Sequence, residues 1–250
     1  MTAATIQFDG AGKCFDERWI VRDLDIGVEA GTILGVVGPS GCGKTTAVRM
    51  AIGVFRPDEG SVSVLGHPPA ERPTKRRTDI GYLPQAPVLF EHLSVRGNLN
   101  FHASLNGVRW RRRQRLAEVL SLVELDGEQG KLVRYCSGGM QRRLALAATL
   151  IHDPAVLVLD EPTAGIDPLL RKQIWEHFRS LRDEGRTVVV TTQHIDEAAY
   201  CDMVLVLDEG RVIDFGTPDE LRQRAAESAD SEPADWDETF IELVNRGGES

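Results

Sequence analysis

Gly38-Pro39-Ser40-Gly41-Cys42-Gly43-Lys44-Thr45 fills every fixed place of the phosphate-binding pattern G-x-x-x-x-G-K-[ST]. Residues 32–37 before it form an apolar run that reads as a buried strand, and residues 44–54 after it read as a helix. That order brings backbone N–H groups and the positive end of a helix dipole onto one point, which suits a polyphosphate. The pattern assigns Lys44 to the β- and γ-phosphates, gives Mg²⁺ the Thr45 hydroxyl, and leaves Thr46 to an inner phosphate. A glycine-rich turn without a ligand is the alternative, and the flanking strand and helix argue against it.

The chain has 250 residues, enough for one domain carrying an inserted lobe. Its net charge of −9 argues against a surface that tracks nucleic acid. Residues 221–250 hold eight acidic and three basic side chains, so more than half of that charge sits in the tail. Cys14, Cys42, Cys136 and Cys201 stand far apart without metal-ligand spacing, which predicts reduced thiols and no zinc. No apolar run reaches the roughly 18 residues of a membrane span, and Met1-Thr2-Ala3-Ala4 lacks the start of a signal peptide. The expectation is a chain soluble by itself.

Short apolar runs at 5–8, 32–37, 61–65, 80–83, 155–159, 187–191, 203–207 and 211–214 read as strands. Several are continuous rather than alternating, and helical stretches separate them, which predicts a parallel sheet covered on both faces and an α/β fold. Between residues 87 and 150 the strand signals stop. Ser94 reads as the cap of a helix running to Asn106, Leu116, Val119, Leu120 and Val123 share one stripe of a second helix, and Ser137 caps a third to about Ile151. This segment reads as an inserted helical lobe.

Ala155-Val156-Leu157-Val158-Leu159-Asp160-Glu161 is an apolar strand ending in two carboxylates. Carboxyl ends of parallel strands line the ligand crevice, so both acids belong near Lys44. Asp160 is assigned to Mg²⁺, and Glu161 to a water attacking the γ-phosphate.

Tyr135-Cys136-Ser137-Gly138-Gly139-Met140, followed by Gln141-Arg142-Arg143, resembles the signature motif of ABC transporter ATPases. Other pieces match that family in order. Gln85 in Leu83-Pro84-Gln85 resembles the Q-loop glutamine, Ala164-Gly165-Ile166-Asp167 the D-loop, and Phe15 the aromatic residue that stacks on adenine. The resemblance covers nearly the whole chain. It implies a P-loop NTPase core of largely parallel strands with an N-terminal antiparallel β portion and the helical lobe inserted. It also implies ATP and Mg²⁺ as cofactors, with Thr45, Gln85 and Asp160 around the metal. In the family two such domains pack head to tail with each ATP between one chain's phosphate loop and the other's signature, which implies that role for Ser137, Gly138 and Gly139.

Two places depart from the family. Cys136 and Met140 stand where the signature has Leu and Gln, and a thioether cannot donate an amide hydrogen bond. At the switch histidine, aligning Gly185-Arg186-Thr187 and Glu197-Ala198 with the family puts Gln193 in place and His194 beside it. Gln193 is therefore expected to position phosphate, leaving base chemistry to Glu161.

Arg109-Trp110-Arg111-Arg112-Arg113-Gln114-Arg115 reads first as a solvated helix start, then as a contact for anionic headgroups, and last as a nucleic-acid contact. Trp236, Phe240, Leu243 and Val244 predict a short amphipathic helix docked on its own core. Residues 236–243 also resemble the closing segment of ABC-2-type exporter ATPases. The expected organisation is a nucleotide-binding domain over residues 1–230, with its lobe at 87–150, and an acidic tail at 231–250.

The reading is an ATP-hydrolysing ABC subunit paired with itself or a related subunit. It would sit peripherally on the cytoplasmic face of the membrane beside an integral permease, driving export, with no nucleic-acid partner expected. Two rivals stay open: a soluble ABC ATPase acting on nucleic acid or the ribosome, and a regulatory module that binds ATP but barely hydrolyses it.

Overall fold

Uninterrupted apolar runs become the buried centre of a twisted sheet, and more polar alternating runs become a second sheet beside it. The computed structural model describes residues 4–71, 78–228 and 235–248. Its strands are β1 (Ile6–Phe15), β2 (Arg18–Val28), β3 (Ile33–Val37), β4 (Glu59–Val64), β5 (Ile80–Leu83), β6 (Val156–Asp160), β7 (Thr187–Thr192), β8 (Met203–Asp208) and β9 (Arg211–Gly216). Its helices are α1 (Lys44–Ala51), α2 (Val95–Leu105), α3 (Arg112–Leu122), α4 (Gly138–Leu150), α5 (Pro168–Asp183), α6 (Pro218–Ser228) and α7 (Trp236–Gly248).

The larger sheet has the order β5-β6-β7-β3-β8-β9, parallel except for β9. Every residue of β3, β6 and β7 is buried, as continuous apolar runs require when both faces are covered. Alternate residues serve two cores. Ile33, Val37, Leu157 and Leu159 face the lobe helices and α5, whereas Leu34, Val36, Val156 and Val158 face α1 and the antiparallel sheet. That smaller sheet, of order β2-β1-β4, contributes Ile6, Phe8, Leu24 and Ile26 to the second core.

The lobe helices follow their signals. Ser94 Oγ accepts from Gly97 N at the start of α2, and Ser137 Oγ accepts from Met140 N at the start of α4. Leu116, Val119 and Leu120 are buried on α3; the helix ends one residue before Val123, which stays buried. Trp236 and Leu243 of α7 join the lobe-side core, and Phe240 packs against it.

Two readings need correction. α1 ends at Ala51 rather than at 54 because Gly53 takes φ +78°, where a Cβ would meet the Pro69 carbonyl carbon at 2.7 Å. β1 extends to Phe15, and β2 goes unmarked because past Val21 its inward Leu24, Ile26 and Val28 alternate with exposed Asp25 and Gly27. Within the acid-rich residues 221–250, Ala225 is buried in α6, while residues 229–234 lie outside the described residues. The basic run is partly structural. Arg112 bonds Val108 O and Ser104 Oγ, Arg115 bonds Leu150 O and Glu118, and Arg109, Trp110, Arg111 and Arg113 are exposed.

Candidate functional site

β5, β6, β7 and β3 run parallel, so their carboxyl ends share one edge and deliver Gln85, Asp160-Glu161, Gln193 and the phosphate loop to it. The loop is possible only with glycine at two points. A Cβ on Gly38 would lie 2.1 Å from the Leu207 carbonyl oxygen. Gly43, the N-cap of α1, has φ +112° and would place a Cβ 2.7 Å from Ile20 O. Pro39, Ser40 and Gly41 are exposed at the crown, Cys42 is buried beneath it, and Thr46 is half-buried in the first turn of α1. Burial pushes the Cys42 thiol's pKa up, opposed by the Lys44 charge.

Lys44 is 5% exposed, and its Nζ donates to Gly38 O at 2.7 Å and Pro39 O at 2.9 Å. A buried ammonium held by two loop carbonyls is poised to exchange them for phosphate oxygens. Thr45 Oγ1 lies 3.0 and 3.2 Å from the two Asp160 carboxylate oxygens, and Thr191 Oγ1 donates to the same carboxylate. A hydroxyl and a carboxylate side by side fit Mg²⁺, a hard cation that keeps phosphate and water among its ligands. Among the described residues no cluster of three His, Cys, Asp or Glu side chains forms an all-protein metal cage.

Glu161 has φ +53°, a left-handed conformation uncommon for a residue with a side chain. Its N–H is held by Thr191 O at 3.0 Å and Thr191 Oγ1 at 3.1 Å. Gln193 reaches the phosphate loop: Ser40 Oγ donates to Gln193 Oε1 at 3.1 Å. His194 instead gives its backbone N–H to Thr192 Oγ1 and caps the short helix Ile195–Tyr200.

The remaining residues sit around this centre. Gln85 is exposed just past β5. Asp167 caps α5, accepting from Leu169 N and Leu170 N. Phe15 is 39% exposed at the end of β1, edge-on to Phe55 with ring centroids 5.1 Å apart. Ser137, Gly138 and Gly139 are exposed at the N-terminus of α4 on the lobe. Met140 Sδ lies 3.6 Å from Lys131 Nζ.

Two residues quoted within the motifs are given no role there. Arg142, 6% exposed, sends Nη1 to Pro84 O and Gln85 O, and Nη2 to Asp160 O and Glu161 O. Burial lowers its pKa, and the Asp160 and Glu161 charges oppose that shift. Its signal was helical spacing, since Arg142, Ala145, Leu146 and Thr149 fall at i, i+3, i+4 and i+7 and all are buried. Glu197, fully buried, accepts from Thr163 Oγ1 at 2.7 Å and Trp175 Nε1 at 3.3 Å, tying the segment after Glu161 to the segment after Gln193. Nothing in its local sequence marks it as buried.

A model of the ABC transporter family matches residues 21–164. A daunorubicin resistance ATP-binding protein of Streptomyces coeruleorubidus is 44% identical over 89% of this chain and 71% of its own length. A probable multidrug ABC transporter ATP-binding protein of Escherichia coli K12 is 39% identical over 90% of this chain, which spans only 40% of that protein. Among solved structures, the ATP-binding subunit of an ABC transporter superposes with a TM-score of 0.87 at 25% identity, covering 96% of this chain and 99% of that one. A dimeric ATP-binding cassette in a post-hydrolysis state, bound to ADP and Pi, gives 0.78 at 25% identity, covering 85% and 98%.

Proposed function

The chain belongs to the ABC transporter family, and from that premise we propose that it is the ATP-binding and ATP-hydrolysing subunit of an exporter, working as a head-to-tail pair beside a separate membrane permease. The observation that carries this reading is the meeting of Lys44, Thr45, Asp160, Glu161 and Gln193 at one edge of the parallel sheet.

Phe15 offers the adenine an aromatic face. The loop amides and Lys44 take the phosphates, with Lys44 giving up its bonds to Gly38 and Pro39. Thr45 and Asp160 would hold Mg²⁺, with Gln85 assigned to it by the family resemblance, and the ion would neutralise phosphate charge. Glu161 accepts a proton from the attacking water while the Gln193 amide donates to the γ-phosphate. Ser137, Gly138, Gly139 and the N-terminus of α4 would receive the γ-phosphate of the ATP bound by the opposite copy, with Asp167 assigned to that seam by the family resemblance. The dimeric cassette bound to ADP and Pi supports this pairing.

A membrane partner is supported by the segment after Gln85. Val88, Phe90, Leu93, Phe101 and Leu105 are exposed, and Phe90 stacks edge-on against Phe101 with centroids 4.4 Å apart. An apolar surface of this kind asks for a covering partner. Among the described residues no helix is long and apolar enough to cross a membrane, and the proposed path is a separate permease. The names of the Streptomyces and E. coli relatives, drug resistance and multidrug transport, favour export.

The test is phosphate release by the purified chain against its Glu161→Gln variant. Turnover should fall by about 10²–10⁴-fold. Equal rates would refute hydrolysis at this site. Capture of the Glu161→Gln protein with ATP from its own cells should bring down a polytopic membrane protein at near-equal amount; recovery of soluble or nucleic-acid-bound partners alone would refute the transporter assignment.

A further inference from the structure

Arg142 bridges three segments that the motif reading treats separately. It sits on α4, whose first residues carry the signature, and so moves with the lobe. One arm of its guanidinium holds the carbonyls of Pro84 and Gln85, and the other holds those of Asp160 and Glu161. A planar fork with two donors per arm suits this task, and a lysine ammonium could not span both carbonyl pairs in one geometry. The charge is buried among carbonyls that need not move with one another, since β5 and β6 end there and the chain enters loops. Glu161, gripped through its carbonyl, is also the residue held in a left-handed conformation. A backbone kept in a sparsely populated region persists only where its surroundings over-determine it, and Arg142 together with Thr191 supplies those bonds.

We propose that Arg142 is a positioning residue that locks Gln85 and Glu161 to the signature helix, so that Glu161 is held for catalysis only while the lobe keeps its place against the sheet. The inference rests on the assignment of hydrolysis to Glu161. Arg142 acts through backbone carbonyls on both sides of the site. Movement of the lobe is thereby transmitted to the base by bonds and not by contact with nucleotide.

The experiment compares wild type, Arg142→Gln and Arg142→Lys in the full chain. Arg142→Gln should lower kcat at least tenfold with the Kd for a fluorescent ATP analogue changed less than threefold, and Arg142→Lys should recover part of kcat. Because Arg142 acts on the base, Arg142→Gln combined with Glu161→Gln should lose little more kcat than Glu161→Gln alone. Backbone amide exchange in nucleotide-free Arg142→Gln should quicken at Gln85, Ala86, Asp160 and Glu161 while the β3 and β7 amides stay protected. Unchanged kcat, strictly multiplicative losses, or parallel loss of ATP binding and of protection across the whole sheet would overturn the proposal. A wild-type chain whose turnover is indifferent to Glu161→Gln would instead refute the hydrolytic assignment, and the exchange readout would still decide whether Arg142 pins these segments.

Discussion

Gln193 and His194 are neighbours with different surroundings. The Gln193 side chain meets Ser40 in the phosphate loop, whereas the His194 backbone is turned to Thr192. Gln193→Ala should therefore reduce ATP turnover at least tenfold and His194→Ala less than threefold, as measured by steady-state phosphate release; the reverse order would place the switch residue at 194. An amide cannot titrate, so wild-type turnover should show no limb traceable to a switch imidazole. At this scale the chemistry-bearing loop and acid pair were legible because their chemistry needs fixed residue types at fixed spacing. Glu197 was not, because its meaning comes from Thr163 and Trp175, 34 and 22 positions away in the chain.

Elements were legible where burial is two-sided or helical. β3, β6 and β7 announced themselves as apolar runs, and α2 and α4 by their serine caps. β2 was hidden because only alternate residues enter the core and its outward positions carry Arg22, Asp23 and Asp25. α6 was hidden as well: its sequence is polar, and only packing shows that Leu221 and Ala225 are fully buried. α7 gives a test of docking. Leu243 is 2% exposed in the lobe-side core, so Leu243→Ala should cost about 2–5 kcal/mol, read as a lower urea midpoint. Ile241→Ala, on the exposed side of the same helix, should cost within about 0.5 kcal/mol. Equal effects would mean that α7 does not dock through this stripe.

Across the whole molecule, burial has set three histidines against their own charge. His102 on α2, His152 after α4 and His177 on α5 all have their pKa lowered, desolvation being the largest cause for each. Each holds a proton less readily in the fold than in the unfolded chain, where it binds one below about pH 6.5, so their contribution to stability is present above that pH and is lost as pH falls toward their lower folded values. The carboxylates of Asp58 and Glu220, held down by the backbone N–H groups of Cys14 and Thr217, act in the same direction in a more acidic window. The urea midpoint should accordingly be lower at pH 5.5 than at 7.5, and His152→Gln should flatten that difference; a midpoint independent of pH over this range would contradict this assignment. By itself, the sequence determined the phosphate loop, the acid pair, the α/β class, the helical lobe and the family resemblance. Each of these is written in local spacing, in runs whose burial is uniform, or in short motifs whose residue types the chemistry demands. Only the tertiary structure decided that Arg142 joins Gln85 to Glu161, that Glu197 ties two loops together, and that the residues after Gln85 form an exposed apolar face. Those facts depend on the order β5-β6-β7-β3, which brings segments far apart in the chain to one edge and which no local pattern encodes.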